Sequence, residues 1–130
     1  MKIMVGYDGS EMAHRALAVA QSRAKALRAE LHLFTSTAQE QSNGPQNTRL
    51  QQDQKETEMF CAACHLTCKI VMCVSSNRSV AEEIIRYAKE NQIDEIVIGL
   101  RRRSPLGKLI FGSTSRQVIL DAPCPVLSVK

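Results

Sequence analysis

Between Gly99 and Gly112 the chain carries Arg101, Arg102, Arg103 and Lys108 and no acidic side chain. The apolar run Ile96-Val97-Ile98 stops at the first glycine, and Gly112-Ser113-Thr114-Ser115 opens a helical pattern at the second. A glycine at a strand end lets a ligand come close to the main chain. Small hydroxyl residues at a helix start leave N–H groups unsatisfied, with the positive end of the helix dipole behind them. The chemistry this suits is anion binding, phosphate above all. On the residues alone a second reading stays open, in which the three arginines are a solvated loop face that aids solubility.

The other reactive residues are less organised. Cys61, Cys64, His65 and Cys68 are spaced i, i+3, i+4, i+7 and would share one face of a helix. Three cysteines and a histidine are an acceptable zinc set, but four ligands on two turns of one helix seldom close a tetrahedron. Free cysteine behaves as a small buried hydrophobe, and core is the favoured reading. The same holds for Cys73 and Cys124, read as strand residues, while Met4, Met12, Met59 and Met72 read as gap-fillers. Asp8 ends the first apolar run and serves equally as a turn-former or a ligand contact. His14 and His32 have no carboxylate or nucleophile assigned to them and read as structural. No triad, acid/base pair or Gly-Lys-Ser/Thr phosphate motif stands out, so the chain is not expected to be an enzyme.

Nine elements, five strands and four helices, must position the basic loop. A buried strand over residues 2–7 ends at Asp8-Gly9-Ser10, with Ser10 as cap of a helix over 11–28. Ala13, Ala16, Leu17, Ala20, Ala24 and Leu27 give that helix an alanine-rich inner face. A second strand covers 30–35. Residues 37–49 read as a surface loop with a turn at Asn43-Gly44-Pro45. A helix over 48–67 places Leu50, Thr57, Cys61, Cys64 and Cys68 on one stripe, and a third strand covers 69–75. Ser79 and Glu82 form a capping box for the next helix, which buries Val80, Ala81, Ile84, Ile85 and Ala88. Strand four (94–98), the basic loop, a short helix (113–120) and strand five (126–129) complete the chain. Strict alternation implies a parallel sheet with helices on both faces. With strand order 3-2-1-4-5, ligands bind where the order reverses, between strands one and four.

These residues resemble the universal stress protein family over the whole chain, from Val5-Gly6-Tyr7-Asp8-Gly9-Ser10 to Asp121-Ala122-Pro123-Cys124-Pro125-Val126-Leu127. The nucleotide-binding branch of that family has glycine, two residues, glycine, nine residues, then Gly-Ser or Gly-Thr. Gly99, the nine residues 103–111 and Gly112-Ser113 match; Arg102 stands in place of the second glycine. The resemblance implies a flavodoxin-like (adenine nucleotide alpha hydrolase-like) three-layer α/β sandwich as one domain over 1–130. It implies ATP held rather than turned over, at times with Mg²⁺ or Mn²⁺, and a homodimer through strand five. Carried over by position, Asp8 and Tyr7 would lie near the ribose, Ser36 at the adenine, Ile98 and Gly99 along the ribose, and Gly112, Ser113, Thr114 and Ser115 at the phosphates. Arg102 either blocks the phosphates or, with Arg101, binds them. The alternative it raises is a stress-response interaction module that has lost nucleotide binding.

Bulk properties fit. The 130 residues, 44% hydrophobic and 23% charged, suit a single globular domain. A net charge of +4 suits a small anionic ligand. Aromatic residues make up only 4%, with no Trp, too few for stacking platforms, so nucleic acid is not an expected partner. No signal peptide or membrane-length run is read, and an odd number of cysteines suggests a reducing cytoplasm.

Overall fold

The computed structural model describes residues 1–36, 45–74, 77–100, 102–103, 109–110 and 112–130, with the side chains of 45–47, 102–103 and 109–110 left out. Parallel strands β1 (Lys2–Tyr7), β2 (Glu30–Ser36), β3 (Cys68–Cys73), β4 (Glu95–Gly99) and β7 (Val126–Val129) form one sheet in the order β3-β2-β1-β4-β7. Helices α1 (Glu11–Leu27), α2 (Pro45–Ala63), α3 (Val80–Glu90) and α4 (Ser113–Asp121) connect them. This is the expected fold and strand order. One element was not anticipated: β5 (Arg102–Arg103) and β6 (Leu109–Ile110) pair antiparallel inside the basic loop.

Each sheet face carries its own core, because successive strand residues point to opposite sides. Ile3, Val5, Tyr7, Leu31, Leu33 and Val97 pack against the alanine stripe of α1 and against α2. Met4, Phe34, Ile96 and Ile98 pack against Ala81, Ile84 and Ala88 of α3 and Val118 of α4. Val80 is exposed and is not part of that buried side. The caps are as read. Ser10 Oγ accepts from the Ala13 N–H at 3.1 Å, and Ser79 and Glu82 form a complete capping box.

Several expectations are corrected. Helix α2 starts at Pro45, where a missing N–H costs nothing, and ends at Ala63, so Cys64 and Cys68 are not on its stripe. Its buried positions are Leu50, Asp53, Thr57 and Cys61. His65, at φ 56°, turns the chain out of the helix, and Cys68 begins β3 instead of continuing a helical face. Among the described residues no group of His, Cys, Asp and Glu is placed to hold a metal. Cys73 and Cys124 are only half-buried, and Cys124 precedes β7 rather than lying in it. Met4 is core, but Met59 and Met72 are exposed. Of the loop predicted over 37–49, residues 45–49 are instead the start of α2, while 37–44 with the turn residues Asn43 and Gly44, and Ser75, Ser76, Arg101 and Lys108, lie outside the described residues, as do the side chains of Arg102 and Arg103.

Candidate functional site

At the carboxyl end of β1, Asp8, Gly9 and Ser10 make a tight turn into α1. Asp8 Oδ1 accepts the Ser10 N–H at 2.9 Å. Gly9 sits at φ 80°, a conformation other residues adopt only under strain. The turn-forming role of Asp8 is therefore realised, while its side chain stays solvent-exposed at the crevice.

β4 runs beside β1 with Ile3 opposite Glu95 and Val5 opposite Val97. Continuing that register brings Gly99 opposite Tyr7. Helix α4 then meets this strand end: Ser115, itself buried, places its Oγ 3.5 Å from the Gly99 carbonyl oxygen. The first turn of α4 holds no acidic residue, and no side chain caps it at Gly112. Its leading amides are those a helix leaves unsatisfied. The fold thus gathers Asp8, Gly9, Ser10, Gly99 and the Gly112–Ser115 turn at the point where the strand order reverses.

Other expected residues are placed differently. Ile98 belongs to the α3 core, 5% exposed. Ser36 ends β2, one strand further out, half-buried. Tyr7 faces α1 and α2 and is 3% exposed, with its hydroxyl donated to the Asp53 carboxylate. Burial, and then Asp53, push the Tyr7 phenol well above its ordinary value. Arg101 and the side chain of Arg102 lie outside the described residues.

Gly99 has a reason for being glycine that the sequence did not reveal. A Cβ built there would lie 2.6 Å from the Met12 carbonyl oxygen and 2.7 Å from its carbon. The close approach it permits is to the backbone of α1, not only to a ligand.

The structure also assembles polar residues that sequence reasoning missed. Asp53, nearly fully buried, is approached by Tyr7, by His14 Nδ1 at 3.3 Å and by Arg49 Nε at 3.9 Å. Thr57 Oγ1 donates to the Asp53 carbonyl at 2.7 Å and accepts from Gln21. Beside this cluster the buried Thr35 Oγ1 has no hydrogen-bond partner among the described residues. His14 therefore does have a carboxylate partner, one 39 residues away in sequence. Only the i, i+4 pair Arg49/Asp53 hinted at the cluster in sequence.

Comparison with known proteins follows the same line. The model of the universal stress protein family matches residues 1–130. A universal stress protein of Thermus aquaticus is 31% identical over 98% of this chain and 97% of its own. A universal stress protein structure from Archaeoglobus fulgidus superposes with TM-score 0.79 at 29% identity, covering 100% of this chain and 98% of its own. Another from that organism, solved in complex with dAMP, has TM-score 0.73 at 23% identity, covering 100% and 98%.

Proposed function

Because the chain belongs to the universal stress protein family, we propose that it binds ATP, with Mg²⁺ as counter-ion, in the crevice between β1 and β4 and works as a regulatory or protective module in the stress response. The observation that carries this reading is the Ser115–Gly99 contact. It sets the leading amides of the α4 N-terminus beside the strand end where ligands of such sheets bind. The dAMP complex of the Archaeoglobus neighbour supports an adenine nucleotide as the ligand class. In this reading Asp8 faces the ribose with Gly99 beside it, and Ser36 offers main-chain groups to adenine, while Tyr7 and Ile98 pack the two opposite faces of the sheet beneath the crevice. Arg101 and Arg102 add charge-assisted bonds to the phosphates. The nucleotide is held rather than turned over in this reading. Five free thiols support a reducing, cytoplasmic setting.

The test is the mass of any small molecule released when the purified protein is denatured, with equilibrium binding of a labelled ATP analogue. Ser113→Glu puts a negative charge at the amide-lined turn and is expected to weaken binding at least about tenfold, equivalent to ~1.4 kcal/mol. Gly112→Val should act in the same direction. One observation favours a second reading, the interaction module without nucleotide: Gly99 is required by the packing of α1 whether or not a ligand is present. Absence of both a released nucleotide and analogue binding would establish that reading instead.

We also propose a homodimer through β7. Among the described residues β7 pairs only with β4, and an edge strand of this kind invites pairing with a second copy. On the preceding helix Leu120 is 70% exposed. Truncation after Pro123 should convert a dimer into monomer or aggregate in analytical ultracentrifugation. An intact dimer after truncation would place the interface elsewhere.

A further inference from the structure

The cysteines that make no metal site are nonetheless brought together by the turn from α2 into β3. The Leu66 N–H reaches back to the Cys61 carbonyl at 2.8 Å and the His65 N–H to that of Ala62 at 3.2 Å. With His65 left-handed, this is a Schellman closure, which brings the residue after the turn against the last inward residue of the helix. Leu31 N–H then holds the Thr67 carbonyl at 2.9 Å, and Cys68 enters β3 opposite Leu31. Register therefore gives Cys68 the sheet face of Leu31 and Leu33, the face that α2 covers. Cys61, 1% exposed on the inner stripe of α2, meets it there. Cys61 lies in the buried apolar cluster and Cys68 packs against that cluster.

We propose that Cys61 and Cys68 are a redox modification site, closing to a reversible disulfide when a hydroperoxide supplies the oxidising equivalents. Cys68, half-buried, is the thiol an oxidant can reach; Cys61 is enclosed and resolves. The Cys68 thiolate attacks the peroxide oxygen, the O–O bond breaks, and an alcohol (water from hydrogen peroxide) leaves a sulfenic acid. The Cys61 sulfur attacks that sulfur, the S–S bond forms, the S–O bond breaks, and hydroxide leaves with the Cys61 proton as water. Two thiols lose two electrons and the peroxide gains them. Burial pushes Cys61 up to about 12 and also raises Cys68, where the bond from Cys61 acts in the opposite direction. The thiols are thus sluggish, suited to sustained oxidant rather than to rapid turnover. The bond would tie the end of α2 to the outer strand of the sheet.

The experiment treats the full chain with hydrogen peroxide, alkylates it unfolded and sequences the tryptic peptide spanning 56–69 by mass spectrometry. The expected product has lost two hydrogen atoms, carries the Cys61–Cys68 link and is alkylated at Cys64. Cys64→Ser should keep the link. Cys61→Ser should lose it and leave a sulfenic acid at Cys68 that dimedone traps. A link through Cys64, or all three thiols remaining alkylatable in the wild-type chain, would overturn the proposal without reliance on any variant's folding.

Discussion

Gly99→Val is expected to lower stability by about 3 kcal/mol, read as a shift of the urea midpoint at unchanged slope. The cause is contact with backbone, not with a side chain that can swing aside. The added Cβ would fall 2.6 Å from the Met12 carbonyl oxygen, and Met12 lies in the first turn of α1. That helix presses Ala13, Ala16, Ala20 and Ala24 onto the sheet, and its alanines leave no longer side chain to absorb a displacement. To relieve the clash α1 must lift, or the end of β4 must move away from Ser115. Either shift disturbs the crevice, so nucleotide binding should fall together with stability. Gly6→Ala is the internal control. Its Cβ would meet Ile84 Cδ1 and Ile98 Cγ2 at 3.5 Å, ordinary contact, and the change should be near neutral. Equal losses at both glycines would refute the close-packing account of Gly99.

His32→Ala is expected to cost about 3 kcal/mol, from the cavity and from the partners it strands. His32 is fully buried in β2. Glu30 as a carboxylate can only accept, so Nε2 carries the proton toward its Oε1 at 2.7 Å, and Nδ1 accepts from the Tyr87 hydroxyl at 2.8 Å. The Tyr87 ring also packs edge-on to the imidazole, with centroids 5.8 Å apart. Burial holds the His32 imidazole below its ordinary 6.5, although Glu30 pulls it up; Lys69 and Lys2 add to the lowering. The folded protein therefore binds fewer protons at His32 than the unfolded chain does. Stability is complete above about pH 6.5 and is lost as pH falls through that value toward the depressed folded one. Glu30 is lowered too, because the bonds from His32 and Lys69 outweigh its burial, so its own loss comes only below about 4.5. Chemical unfolding at a series of pH values should show the upper slope in the wild type and not in His32→Ala. A wild-type profile flat between pH 7 and 5 would exclude His32 as its source.

Local patterns carried the architecture. The alanine spacing of α1, the Ser10 cap, the Ser79/Glu82 capping box and the strict alternation of apolar runs with helical patterns sufficed for the fold class, a parallel sheet with helices on both faces; strand order is not written in any of them. The residues Gly99 and Gly112-Ser113-Thr114-Ser115, singled out by their spacing, are brought together by the fold at the ends of β4 and α4. Each of these signals lies within a few residues, where propensity and periodicity act. Where local signals were ambiguous, the reading slipped. The polar first half of α2, with Asp53 on its inner stripe, hides its start at Pro45, and the spacing of Cys64 and Cys68 extends the pattern past its end at Ala63. His65 ends it in a left-handed conformation that glycine or asparagine would have advertised.

The sequence by itself determined most of the strands and helices, how they alternate and where the basic loop falls between them, since the physics of those choices is short-ranged. Tertiary structure alone decided that Gly99 must admit the backbone of α1, that Asp53 gathers Tyr7 and His14, that His32 joins Glu30 to Tyr87, and that Cys61 meets Cys68. Those pairings depend on strand register and on helices laid across the sheet. Register fixes which side chains share a face and close packing fixes how near they come, and neither is written within any short window of the chain.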